Sequence, residues 1–377
     1  MSQRRRVLCL AAGVAVTPAF AALPALPAEA AEAGKGAYFP PLGSREWAPS
    51  DPAAAGWDST ALEALFDYGQ AQGSTGIVIV QHGRIVAERY WPLTAAQRRA
   101  SGQFAALHHG ETPEGWPIED VASVQKSVVS VLVGIARSKG LVDIDKSAAS
   151  YIGAGWSKAP LDKEAAITVR HLLSMASGLD EGLRYEAPAG SRWLYNTPAY
   201  GQLLQVLERA SGRTIDDITR AWLSAPLGMA DSRWGLRQGR RVASNAHGFV
   251  TTPRDLARLG LALLHGGIWD GRDVLAGQSW LAESLAPSQS SYPGYGHLWW
   301  LNRGAPATGS HAAQPPLAGW FVPAAPADMI AARGHFNRRL YIVPSLSLVV
   351  VRLGAQAQAR RFDQEFWPYL MRALPKQ

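Results

Sequence analysis

The chain has 377 residues, 47% of them hydrophobic and 18% charged, which supplies ample material for one or two packed cores and excludes a disordered chain. Its formal charge of +7 sits on basic residues that are scattered apart from Arg237, Arg240 and Arg241 and the pair Arg338 and Arg339. No basic stripe interleaved with aromatics tracks a nucleic-acid backbone, so nucleic acid is not an expected partner.

Arg4, Arg5 and Arg6 precede an apolar stretch from Val7 to Val16, and Ala19, Ala21, Ala28 and Ala30 offer small residues for cleavage, so residues 1–30 read as an export signal. Pro18, Pro24 and Pro27 keep the apolar run well below the roughly 20 residues that span a bilayer, and no transmembrane segment is expected in the mature protein. The arginines followed by Val7 and Leu8 resemble a twin-arginine signal. The expected destination is the periplasm or the exterior. Cys9, the only cysteine, lies in this segment, which excludes a cysteine nucleophile, a disulfide and a cysteine metal ligand after cleavage.

From Gly36 to Gly56 the chain is rich in Pro, Gly, Ser and Trp without periodicity and is expected to wrap over the surface. Ala61, Leu62, Leu65, Phe66 and Tyr68 have helical spacing, and the β-rich runs 76–81 and 84–90 follow, joined by a short turn at His82 and Gly83. Residues 93–119 read as a polar, irregular loop of the kind that borders a site. A helix then starts near Ser123, runs apolar from Val124 to Ile135 and stops at Gly140. Further helical patterns cover 168–175, 199–210, 215–223 and 253–265. Strand patterns return at 339–343 and 346–353, and 362–374 reads as an amphipathic helix.

The economical arrangement is an α/β (α+β) fold: an antiparallel sheet built from both chain ends and flanked by helices, with a mostly helical insertion. Residues 31–120 together with 291–377 would form the sheet domain, and 121–290 the helical domain.

Ser123 and Lys126 are three apart, so on a helix their side chains share a face. A serine hydroxyl is a poor nucleophile at neutral pH and needs a base within hydrogen-bond reach. Burial against Val124, Val128 and Val129, and the positive end of the helix, disfavour the ammonium form of Lys126 and make a neutral amine available as that base. The backbone amide of Ser123 is placed to hold an oxyanion, with a second donor needed from elsewhere.

The runs 121–133 (VASVQKSVVSVLV), 167–179 (ITVRHLLSMASGL), 188–204 (PAGSRWLYNTPAYGQLL) and 226–234 (PLGMADSRW) together resemble the penicillin-binding-protein-like serine hydrolases. That superfamily includes class C β-lactamases, DD-peptidases, esterases of β-lactamase fold and 6-aminohexanoate-dimer hydrolases, and the resemblance spans roughly residues 57–375. It implies Ser123 as the acylated nucleophile, Lys126 as its partner and Tyr195 as the phenol of a Tyr-x-Asn motif that relays protons. The third position of that motif holds Thr197, one hydroxyl in place of an amide. A shifted register would give the role to Asn196.

The family's Lys-Thr-Gly is missing, and its nearest equivalent is Gly334, His335, Phe336 and Asn337, just before a strand that could supply the second oxyanion amide. Thr197, His335, Asn337 and Trp300 are the candidate substrate-binding residues, with Tyr295 and Trp299 as possible companions in an apolar wall. A neutral histidine beside a bulky Phe336 would meet a substrate carboxylate poorly. The expected activity is therefore an exported serine hydrolase cleaving a small-molecule ester or amide, as an esterase or 6-aminohexanoate-oligomer-type amidase. β-Lactamase or DD-carboxypeptidase activity ranks lower, as does a non-catalytic protein of the same fold that binds an envelope ligand. No metal, cofactor or obligate protein partner is expected.

Overall fold

The computed structural model describes residues 37–100, 106–237, 246–275, 277–290, 292–303 and 322–376. The export signal expected over 1–30 lies outside them, as do Arg240 and Arg241.

The first helix, α1 (Ser59–Ala71), is capped by Asp58, whose carboxylate accepts from the Ala61 amide. Strands β1 (Ser74–Gln81) and β2 (Arg84–Tyr90) follow, and their turn places His82 and Gly83 at φ 49° and 80°, the left-handed pair that a two-residue hairpin requires. In β1 every residue from Ser74 to Val80 is buried. Val78 and Val80 enter one core and Ile77 and Ile79 another, because successive side chains leave opposite faces of a strand.

The segment expected as an irregular loop holds a helix (Ala95–Ala100) and strands β3 (His108–Glu111) and β4 (Pro117–Asp120). These strands are four residues long and mostly polar, so they carry no periodic signal of their own. Helix α2 (Gln125–Ser138) follows a 3₁₀ turn at Ala122–Val124, and α3 (Thr197–Ser211) is capped by Asn196. Strands β5 (Arg233–Leu236) and β6 (His247–Thr251) complete a sheet of order β3-β4-β6-β5, and α4 (Pro253–Leu264) begins behind the Thr252 cap.

A two-residue hairpin of Ile268–Trp269 and Arg272–Asp273 follows, then the strands β7 (Trp300–Leu301), β8 (Ile330–Gly334), β9 (Arg338–Val343) and β10 (Leu348–Gly354), and α5 (Phe362–Ala373) comes after them. The large sheet has the order β2-β1-β10-β9-β8-β7 with every pairing antiparallel, so both chain ends build it as expected. One face carries α1 and α5, joined by the stacked rings of Tyr68 and Tyr369 at 4.8 Å. The other face carries α2 and α4, with α3 packed against α2. Gly260 lets α4 lie directly on the sheet, since a Cβ there would stand 2.5 Å from Val349 Cγ1. No helix among the described residues is long and apolar enough to cross a membrane.

Candidate active site

β4 delivers the chain to the site and Asp120 fixes the exit. Its Oδ1 accepts the Ala122 amide at 2.7 Å, and its carboxylate pairs with the Arg237 guanidinium at 2.7 and 2.9 Å. Ala122 sits at φ 52°, a left-handed conformation that costs an L-residue roughly 1–2 kcal/mol and persists only where neighbours impose it. Gln125 adds a further hold, its Oε1 accepting from Arg237 at 2.9 Å and from the Phe249 amide at 3.2 Å. Ser123 therefore lies on an anchored 3₁₀ turn rather than inside the helix proper.

From Gln125 to Ala136 every residue of α2 is buried. Lys126 is 3% exposed, and its Nζ stands 3.1 Å from Ser123 Oγ. The rings of Tyr195 and Tyr200 cover it, with centroids at 4.9 and 4.6 Å. Burial pushes the Lys126 pKa down, the Tyr195 phenol opposes that by charge and hydrogen bonding, and the Arg237 charge adds to the lowering. The net direction is toward the neutral amine, the form that accepts a proton from serine.

Tyr195 arrives from the turn before α3. Asn196 is occupied as the N-cap: its Oδ1 accepts the Ala199 amide at 2.9 Å, and its Nδ2 donates to the carbonyls of Leu179 and Asp180 at 3.1 and 2.8 Å. These bonds commit the Asn196 side chain to the cap, and Thr197, half-buried, begins the first turn of α3.

Trp300 lies beside Tyr195, with centroids 5.8 Å apart and planes at 30°, and Tyr295 meets it edge-on at 5.1 Å. Trp193 stacks on Tyr292 at 4.0 Å and continues the same aromatic wall. Trp299, expected to share that wall, is wholly buried in the core instead.

The Gly334–Asn337 tetrad is the turn between β8 and β9, with Phe336 and Asn337 at φ 60° and 58°. Gly334 is packed onto the nucleophile turn so closely that a Cβ would lie 2.3 Å from the Val121 carbonyl oxygen. His335 is exposed, its ring 4.2 Å from that of Phe336. Phe336, expected to crowd the substrate, is 7% exposed and packs with Leu93 and Ala355. Asn337 holds the turn to the neighbouring loop, its Oδ1 accepting from Gln356 Nε2 at 3.0 Å and from the Ala357 amide at 3.1 Å. Gly334→Ala should force the two turns apart and lower kcat about 100-fold, the scale of a 1 Å misplacement, with a smaller change in KM. Steady-state kinetics beside a thermal melt checks this, and an unchanged kcat would mean that the contact is irrelevant to turnover.

The structure thus gathers Ser123, Lys126, Tyr195 and Trp300 at one place, with Thr197 next to Tyr195 in the chain and the Gly334–His335 turn against the nucleophile turn. Asp120, Gln125 and Arg237 were not singled out for the site from the sequence. The available signal was polar: Gln125 interrupts an apolar helix, and Asp120 precedes the serine by three residues. Among the described residues no group of three or more His, Cys, Asp or Glu side chains could hold a metal ion.

A sheet covered by helices on both faces, with a serine and a buried lysine at the mouth of the helical layer, defines the architecture of the β-lactamase-fold serine hydrolases. The chain belongs to the β-lactamase family, whose model, described as Beta-lactamase, matches residues 62–370. No curated protein matches it. Among solved structures, a putative β-lactamase from Bacteroides dorei is similar with a TM-score of 0.64 at 17% identity, over 85% of this chain and 100% of that one. A putative 6-aminohexanoate-dimer hydrolase from Bacillus anthracis is similar with a TM-score of 0.56 at 17% identity, over 84% and 83%. EstCE1, a hydrolase with promiscuous acyltransferase activity, is similar with a TM-score of 0.58 at 16% identity, over 85% and 98%. At such identities the likeness is one of fold.

Proposed function

We propose that this protein is an exported serine hydrolase that cleaves an ester or amide through an acyl-enzyme on Ser123, of carboxylesterase or 6-aminohexanoate-oligomer amidase type. The observation that carries this reading is the buried Lys126 amine 3.1 Å from Ser123 Oγ, beneath the Tyr195 ring. Neutral Lys126 takes the hydroxyl proton as Oγ attacks the carbonyl carbon. The backbone amides of Ser123 and His335 receive the negative oxygen. Tyr195 passes the proton to the leaving alkoxide or amine as the carbonyl bond to it breaks. Water then enters by the same path in reverse, giving the acid and free Ser123.

Substrate choice follows from the walls. Trp193, Tyr292 and Trp300 line the approach to Tyr195 with half-buried rings, which suit an apolar acyl or leaving group. The carboxylate-binding lysine of the family's last motif has no counterpart in the Gly334–Asn337 turn, which favours ester or amide over β-lactam.

Purified protein should give a burst followed by steady release with p-nitrophenyl esters, and Ser123→Ala should abolish both the burst and labelling by a fluorophosphonate probe. Undiminished labelling of Ser123→Ala would place the nucleophile elsewhere. A cephalosporin and a linear amide oligomer in the same panel decide between the activities, and a protein that only binds gives neither burst nor release.

A further inference from the structure

Neighbouring side chains at the end of β4 serve opposite sides of the site. Asp120 holds the nucleophile turn, while Glu119 points into the large sheet. There its Oε1 accepts from Thr75 Oγ1 at 2.5 Å and its Oε2 from Arg338 Nη2 at 2.9 Å. Both members of the Glu119–Arg338 pair are completely buried. Arg338 begins β9, three residues after His335, and its Nη1 donates to the His335 carbonyl at 3.4 Å. The next carbonyl, that of Phe336, accepts from Arg352 Nη1 at 2.5 Å.

Two charges removed from water gain little net stability over an apolar pair of the same shape, so stability alone does not explain this pair. What it does fix is direction and length. Glu119 precedes Ser123 by four residues and Arg338 follows His335 by three, so the ion pair spans the two segments that present the Ser123 and His335 amides. Between them Gly334 rests on Val121, which sets the closest approach. The glycine stops the two turns from closing further, and the ion pair stops them from opening.

We propose that Glu119 and Arg338 form a positioning pair that sets the spacing of the two oxyanion amides, so that its loss weakens binding of the tetrahedral state more than binding of substrate. This rests on the acyl-enzyme reading of Ser123. Neither residue touches substrate; both act through the turns they join.

The test compares wild type, Glu119→Gln, Arg338→Lys and the double variant Glu119→Leu/Arg338→Met. Each is assayed with a p-nitrophenyl ester and with a trifluoromethyl ketone that forms a tetrahedral adduct. Glu119→Gln should lower kcat by about 10- to 100-fold and raise the inhibition constant of the ketone by the same factor, with KM changed less than about threefold. Arg338→Lys, which keeps the charge, should lie between it and wild type. The double variant removes both charges of the pair together, while Arg352, which Glu119 also faces, keeps its hydrogen bonds to Ser74 and to the carbonyls of Gln72, Phe336 and Ala355, and it should stay folded while keeping the ketone defect. Should Glu119→Gln misfold, the double variant carries the same comparison. Wild-type ketone affinity in a folded single or double variant overturns the proposal, as does a KM that rises as far as kcat falls. If the ketone forms no adduct on wild type, or forms it equally on Ser123→Ala, the acyl-enzyme reading itself fails. If the adduct forms at Ser123 and every variant binds it as tightly, only the positioning role fails.

Discussion

Replacing Lys126 with methionine should lower kcat/KM for an activated ester by about 100- to 10,000-fold, the usual contribution of one positioned proton acceptor, while the protein stays folded. The fold should survive because the site disfavours the charge it loses. Lys126 is 3% exposed, and burial already pushes its ammonium form down. A methionine of similar length fills the same space between the Tyr195 and Tyr200 rings and removes a desolvation penalty. The melting temperature should hold or rise as activity collapses.

The pH profile carries the sign. On the proposed mechanism the working form of Lys126 is neutral, so activity should rise with pH through the lysine pKa. Because burial lowers that pKa, the rise comes at lower pH than for a free amine at 10.5. In Lys126→Met that limb should vanish from the residual rate. A variant that keeps both kcat/KM and the limb would show that another group takes the Ser123 proton.

The helix behind Ser123 is legible in the sequence because a valine-rich run with a Ser and a Lys at i and i+3 admits few other readings. The central strands β1 and β10 are legible for the same reason, their apolar runs being buried on both faces. Strands β3 and β4 are not, because HHGE and PIED are short and carry no clear alternation, and take their strand character from long-range pairing, β3 on β4 and β4 on β6. The junction residues share that fate. Glu119 finds Arg338 across 219 positions and Asp120 finds Arg237 across 117, contacts fixed by sheet register and not by spacing along the chain. The turn at Gly334 shows a further limit: its residue types suggested a histidine and a phenylalanine side by side over the substrate. Two consecutive left-handed residues, Phe336 and Asn337, instead turn the phenylalanine into the cluster with Leu93 and Ala355.

Asp363→Ala should destabilise the fold by about 3–5 kcal/mol, the range seen when one partner of a buried ion pair is removed. Asp363 sits in the first turn of α5 at 7% exposure, where the helix N-terminus also favours a carboxylate. It accepts from Arg339 Nε and Nη2 at 2.6 and 2.9 Å, from Arg333 Nη2 at 3.1 Å, and from the Tyr341 hydroxyl. Burial alone would raise its pKa, but the Arg339 and Arg333 charges override that and hold it well below the usual carboxylate range. Without it, the Arg339 and Arg333 guanidiniums remain buried with no carboxylate between them. Arg333 also lies 5.0 Å from the ring of Trp300, which stacks on Tyr195, so the damage reaches the aromatic wall. Because the folded pKa is depressed, the contribution is fully present above the unfolded value of 3.8 and is lost as pH falls below it. The stability gap between wild type and Asp363→Asn, read from denaturant melts, should be flat from neutral pH to about pH 5 and narrow below about pH 4. A gap that stays constant down to pH 2.5 would show that Asp363 acts through packing and not through its charge.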